Sequence, residues 1–135
     1  MAEPHAFPVK VYYEDTDMGG VVYYANYLRF IERARSEIVE ELGLDQNRMR
    51  AEGIVFVVTR VEADYLSSAR LGDQLTVQTT HWAKGAVRWM FAQDVMRGDT
   101  VIFRAVVTAA CMNLEGKPAR LPDDLRALLA SAAPG

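Results

Sequence analysis

Apolar positions along the chain change period twice. Over residues 7–13, Phe7, Val9, Val11 and Tyr13 alternate with Lys10 and Tyr12. This two-residue period predicts a first strand, with Pro8 near its start, where a missing ladder donor is tolerated. Over about residues 24–42 the period lengthens: Tyr27, Ile31, Ala34, Ile38 and Leu42 recur every three or four positions, while Arg29, Glu32, Arg33, Glu37, Glu40 and Glu41 fall largely elsewhere. That spacing predicts one amphipathic helix of about five turns. Asn26 or a residue just before it is the expected N-cap, and Gly43 the C′ stop. Four extended runs follow. Residues 54–65 open with IVFVV, expected to be buried on both faces, and pass into an alternation expected to be buried on one. Residues 74–82, 87–96 and 101–112 are separated by the turns AKGA and RGDT, which predicts hairpin-linked antiparallel neighbours. A short helix over about residues 123–132 closes the series, with Leu125, Leu128 and Leu129 on one side; residues 1–6 and 132–135 are expected to be flexible tails. Strands this long must twist and curl, and the one long helix is what they would curl around. The prediction is an α+β fold, a curved antiparallel sheet wrapped around a central helix. A Val- and Phe-rich edge strand in such a sheet invites pairing with a second copy, so at least a homodimer is expected.

Composition narrows the chemistry. A chain of 135 residues, 50% hydrophobic, holds one well-buried core, so residues 1–135 are read as a single domain. With a net charge of −3 and fifteen scattered Lys and Arg, it has no basic footprint for nucleic acid. The N-terminal MAEPHAFPVK lacks an apolar segment after a basic one, and no apolar run approaches twenty residues; no membrane span and a cytoplasmic location are expected. Cys111 stands alone, which leaves no internal disulfide and no thiolate metal cluster, and in TAACMN it reads as a small buried hydrophobe. The isolated His5 and His81 read as surface or packing residues. No G-x-S-x-G, H-E-x-x-H or G-x-x-x-x-G-K-[ST] string occurs.

The stretch richest in chemistry is DTDMGGVVYYANY, residues 15–27. As a calcium loop it would put Asp15 and Asp17 at the first and third positions and Gly20 at the sixth. Gly19 and Asn26 then occupy the fifth and twelfth, where oxygen ligands and a bidentate Glu are needed, so no metal site is expected. The D-x-D of haloacid-dehalogenase phosphatases continues differently at Gly19, and their alternating strands and helices are missing. On local grounds alone, an Asp and Gly cluster ahead of a helix is a turn and a cap.

The string D-x-D-x-x-G-V-V-Y-x-x-N-Y, set in residues 11–43 and followed by the strand order above over about residues 7–113, resembles the hot-dog-fold acyl-CoA thioesterases. It resembles in particular the group containing 4-hydroxybenzoyl-CoA thioesterase and the YbgC-type enzymes associated with the Tol-Pal system. The resemblance implies that Asp17 is the essential carboxylate, with Asp15 supporting it. It also implies a dimer or tetramer with sites at subunit interfaces, lipid-synthesis partner proteins, and no cofactor beyond the coenzyme A that is part of the substrate. YbgC-type sequences commonly carry histidine where this chain has Tyr24, which the benzoyl-thioesterase type shares; the acyl preference, short-chain aliphatic or aromatic, stays open.

The chemistry agrees with that assignment. A thiol leaving group with a pKa of about 8.5 departs without much help from an acid, so one carboxylate and an oxyanion site suffice. Asp17 would either attack the carbonyl or take a proton from an attacking water. Main-chain N–H groups of Val22, Tyr23 and Tyr24 at the helix mouth would face the developing oxyanion. Gly19 and Gly20 would let the thioester approach the main chain. Asn26 and Tyr27 would fix the turn or pack at the helix start. Arg60, Lys84, Arg88, Lys117 and Arg120 are candidate contacts for coenzyme A phosphates, each more simply read as a solvated charge, so the phosphate-binding residues are unassigned. The competing reading is an acyl-group-binding scaffold beside lipid-synthesis or envelope proteins. A hot-dog dehydratase is disfavoured, because it would need a catalytic histidine that this chain does not supply.

Overall fold

The computed structural model describes residues 3–132. Its elements run β1 (His5–Lys10), α1 (Asn26–Glu41), α2 (Gln46–Ala51), β2 (Ile54–Tyr65), β3 (Gln74–Lys84), β4 (Arg88–Arg97), β5 (Thr100–Asn113) and α3 (Asp123–Ala132). The five strands form one antiparallel sheet in the order β1-β3-β4-β5-β2. β3, β4 and β5 are sequential hairpin neighbours, as the turn signals predicted, with Gly85 (φ 67°) and Gly98 (φ 62°) supplying the left-handed turn residues.

The face that carries Leu75, Val77, Trp89, Phe91, Val95, Phe103 and Val107 shares one core with Phe30, Ile31, Ala34 and Ile38 of α1 and with Leu125 and Leu129 of α3. The helical period foreseen in the sequence is the period of this buried stripe. Each large side chain fully removed from water there contributes roughly 1.5–3 kcal/mol. Cys111 is buried in the same core, where desolvation raises its thiol pKa, so it serves as a small hydrophobe.

Four differences from the sequence reading bear on the site. β1 starts at His5, so His5 and Ala6, assigned to a tail, instead pair with Thr79 and Gln78. The same strand ends at Lys10 rather than Tyr13. The Asp15 carboxylate accepts the Tyr12 N–H (2.9 Å), and Tyr13–Asp15 form a single 3-10 turn. A helix absent from the pattern, α2, follows Asp45, whose side chain caps the Arg48 N–H (3.0 Å). Finally, β2 lies at the sheet edge and among the described residues pairs only with β5, and most of it is exposed, contrary to the two-sided burial expected of IVFVV. A run of β-branched residues specifies a strand; it does not specify how many neighbours the strand has. Residues 1, 2 and 133–135, also assigned to tails, lie outside the described residues.

Candidate active site

Residues 16–22 form a small hairpin: Thr16 bridges Val22, and the Asp17 N–H donates to Val21 O (3.0 Å). Its tip is the turn Asp17-Met18-Gly19-Gly20, closed by the Gly20 N–H on Asp17 O (3.0 Å). Gly20 has a φ of 77°, a left-handed conformation that the turn requires and glycine adopts without penalty. Asp17 Oδ1 accepts the Gly19 N–H (2.9 Å), an Asx-type bond that orients the carboxylate while leaving it exposed. A Cβ on Gly19 would lie 3.2 Å from that same Oδ1. The absent side chain at Gly19 therefore makes room for the Asp17 carboxylate itself, where room for the thioester was expected.

Asp15 lies beneath this tip and is buried. Its carboxylate holds the Tyr12 N–H, and its carbonyl accepts both the Tyr23 N–H (2.9 Å) and Asn26 Nδ2 (3.0 Å). These three bonds make Asp15 a clamp between the hairpin and the start of α1. Asn26 is not the N-cap: that position is Ala25, which makes no side-chain cap bond, and Asn26 is the first helical residue, reaching backwards to Asp15. Tyr27 is buried, stacks on Phe103 (ring centroids 5.1 Å apart), and its hydroxyl accepts the Ala69 N–H (2.9 Å).

Of the three main-chain donors expected at the helix mouth, two are used by the fold. The Val22 N–H donates to Ala69 O (2.8 Å) and the Tyr23 N–H to Asp15 O. The Tyr24 N–H has no acceptor among the described residues. The carbonyl of the same peptide, Tyr23 O, accepts the Asn26 N–H (2.8 Å), and in the next peptide Tyr24 O accepts the Tyr65 hydroxyl (2.9 Å). Burial, with Tyr24 and Tyr27 adding to it, raises the Tyr65 phenol pKa, so this donor keeps its proton well into alkaline solution.

Asp17, Val22, Tyr23, Tyr24 and Tyr27 line one open cleft of about 410 Å³, completed by Tyr65, Leu66, Ser67 and Ser68. The last four were not singled out in the sequence. Tyr65 ends β2 and the other three follow it; the bridge of Val21 to Arg70, the Val22 N–H on Ala69 O and the Tyr65 hydroxyl on Tyr24 O bring this segment to the hairpin and the start of α1. An exposed carboxylate, a free main-chain N–H at the positive end of a sixteen-residue helix and an aromatic wall on one cleft suit attack on an activated carbonyl.

The remaining candidates lie elsewhere. Arg60, Lys84 and Arg88 share a separate cavity of about 390 Å³, with Arg60 ion-paired to Glu62. Lys117 and Arg120 are exposed beyond β5. His5 contacts Glu41 (2.7 Å), and His81 Nδ1 accepts Trp89 Nε1 (3.1 Å), so both histidines are packing residues. Among the described residues no group of His, Cys, Asp and Glu could hold a metal ion, and no helix is long and apolar enough to cross a membrane.

Comparison with known proteins gives a consistent result. The model of the thioesterase-like superfamily matches residues 11–129. Acyl-CoA thioesterase YbgC of Haemophilus influenzae is 43% identical over 125 residues, covering 90% of this chain and 91% of that protein. Acyl-CoA thioester hydrolase YbgC of Escherichia coli O6:H1 is 39% identical over 121 residues, 88% of this chain and 90% of its own. Among solved structures, a probable thioesterase from Bartonella henselae superposes with a TM-score of 0.81 at 36% identity, over 88% of this chain and 99% of that one.

Proposed function

The chain belongs to the thioesterase-like superfamily with the hot-dog fold, and from that membership we propose that it hydrolyses acyl-CoA thioesters to free acid and coenzyme A. The substrate class is a short-chain aliphatic or an aromatic acyl-CoA. The observation that carries the site is the cleft that joins the Asp17 carboxylate to the free Tyr24 N–H.

In this reading the thioester carbonyl oxygen points at the Tyr24 N–H. Its negative charge grows there as the carbonyl carbon becomes tetrahedral, and the helix dipole assists. Asp17 either adds to that carbon through a carboxylate oxygen, giving an acyl anhydride that water then cleaves, or removes the proton of a water that adds instead. In both cases the C–S bond breaks with its electron pair on sulfur, and the thiolate needs no dedicated acid. Asp15, Asn26 and the Tyr65 hydroxyl position the two groups. Tyr23 and Tyr24, exposed at the mouth, form the wall the acyl group passes. No cofactor enters beyond the coenzyme A of the substrate.

The working enzyme is proposed to be a cytoplasmic homodimer or homotetramer that meets lipid-synthesis proteins, with the exposed β2 edge as the contact between copies. The other reading, an acyl-group-binding scaffold with little turnover, keeps the same cleft without the chemistry. Thiol release from acetyl-, butyryl-, long-chain and benzoyl-type CoA separates the two. The native chain is expected to turn over at least one of them, and Asp17→Asn to lose roughly 10²–10⁴-fold in kcat. Equal turnover by the variant removes Asp17 from the chemistry, and binding without cleavage by the native chain favours the scaffold.

A further inference from the structure

A further cavity of about 250 Å³ lies on the flank between α1 and β2, with Phe56, Val58, Phe91 and Ala109 as its apolar side and Glu32, Ser36 and Gln46 as its polar side. Arg35 of α1 opens into it. Arg35 is half-buried; its guanidinium packs over the Phe91 ring (5.9 Å to the centroid), and Nη1 donates to Gln93 Oε1 (3.0 Å). No carboxylate of the described residues lies within ion-pair distance of it, whereas Arg97 and Arg104 each have one. Glu32, one turn back on α1, is exposed and borders the same cavity without forming an ion pair with Arg35, and burial lowers the Arg35 pKa below the ordinary guanidinium range. A guanidinium nonetheless stays charged in a protein, so a cation half withdrawn from water without an ion-pair partner is costly to hold.

The cation is also held in place. Gln93 is fully buried in the sheet, and its Nε2 donates to Ile31 O (2.9 Å) and Thr79 Oγ1 (3.0 Å). These two bonds fix which end of the amide faces Arg35. They also fix the level of the guanidinium, close to the Ile31 carbonyl and one turn N-terminal to the Arg35 backbone. From Asn26, the first residue of α1, to Ile31 is five residues, or about 7.5 Å of helix rise, and Tyr24 lies two residues before that start. A preoriented cation with donors to spare, beside the apolar side of this cavity and about two turns of chain beyond the thioester site, suits a carboxylate at the end of an apolar group.

We infer that the Arg35 cavity binds the distal carboxylate of an ω-carboxyacyl group whose thioester lies at Asp17 and Tyr24. The inference rests on the hydrolase reading above and extends it to the acyl group. Its test compares octanoyl-CoA with octanedioyl-CoA, identical but for the terminal carboxylate. The native protein is expected to favour the carboxylated substrate in kcat/KM by about tenfold or more. Arg35→Gln and the cavity-filling Ala109→Leu are both expected to abolish that ratio, and Arg35→Lys to keep part of it; thermal melts confirm that each variant is folded. Native protein that hydrolyses the two substrates equally well, or a ratio unchanged in both Arg35→Gln and Ala109→Leu, overturns the inference. If no acyl-CoA is cleaved, the hydrolase reading fails separately, and calorimetric titration with free octanoate against octanol decides the cavity. Carboxylate-dependent binding that Arg35→Gln abolishes supports it, and its absence from the native protein overturns it.

Discussion

A Cβ added to Gly19 would stand 3.2 Å from Asp17 Oδ1, whereas one added to Gly20 meets nothing within 4 Å. Two adjacent glycines in one turn therefore have different reasons, and single substitutions separate them. Gly19→Ala needs no unusual backbone, so the fold tolerates it, but it pushes the carboxylate off its bond to the Gly19 N–H. A displacement of a few tenths of an ångström at a reacting group is expected to lower kcat about tenfold, with the melting temperature nearly unchanged. Gly20→Ala does the reverse. A side chain at φ 77° costs about 1 kcal/mol through backbone strain, so stability falls first and activity follows it. Steady-state kinetics and a melt on the two variants check this, and a Gly19→Ala protein with native kcat would remove the steric link to Asp17. The sequence made Asp17 a candidate only through resemblance, since Asp-x-Gly-Gly before a helix is equally a plain turn. In the structure it is both: the Asx bond that makes the turn also aims the carboxylate.

At the scale of elements, what the periodicity could state was local, and what it missed was pairing over distance. The stripe of α1, the hairpins of β3 to β5 and the extent of α3 depend on side-chain spacing and turn residues, which a sequence displays directly. The wall of the cleft from Tyr65 to Ser68 and the edge position of β2 depend on which strand lies beside which, and no window of adjacent residues reports that. Asn26 illustrates the difference. By type and place it reads as an N-cap, yet its amide donates to Asp15 O, eleven residues earlier. Asn26→Asp distinguishes the roles: a cap would accept the change or gain from the dipole, whereas a carboxylate cannot donate to a carbonyl. The expected result is a loss of about 1–2 kcal/mol in chemical denaturation, with kcat reduced because the hairpin and α1 lose their tie. β3 and β4 carry a second such pair, His81 and Trp89. Burial, with His5 as the lesser cause, lowers the His81 pKa below its ordinary value, consistent with a ring nitrogen that accepts the indole N–H. The unfolded chain then takes up the proton first as the solution is acidified. The stability that neutral His81 contributes is present above the ordinary imidazole pKa and is lost as pH falls below it. Melts at pH 7.5 and pH 5.5 are expected to show a drop that His81→Gln reduces, because glutamine can accept the indole bond without titrating.

For the molecule as a whole, the unsolved surface is the β2 edge. Val57, Val58 and Val61 are 41%, 46% and 42% exposed on a twelve-residue strand that, among the described residues, has a neighbour on one side only. An edge this long and this apolar is a template for further strand pairing unless something occupies it. A second copy of β2 running antiparallel satisfies the open main-chain groups of both strands and buries both sets of valines under one two-fold axis. The same strand ends at Tyr65, on the wall of the Asp17 cleft, so whatever covers the edge also approaches the mouth of the site. Assembly and activity are therefore expected to change together. Val57→Lys with Val61→Lys places like charges across the two-fold and is expected to convert the protein to a monomer by light scattering. The fold should stay intact, because these side chains are exposed in the single chain, while kcat/KM falls by about tenfold or more. Dilution of the native protein supplies an independent check: its specific activity should decline below the dissociation constant of the dimer, and excess inactive Asp17→Asn partner should restore it through mixed dimers that keep one native cleft. A native chain that is monomeric at micromolar concentration, or a monomeric variant with full activity, would separate the β2 edge from the chemistry and leave each cleft self-sufficient.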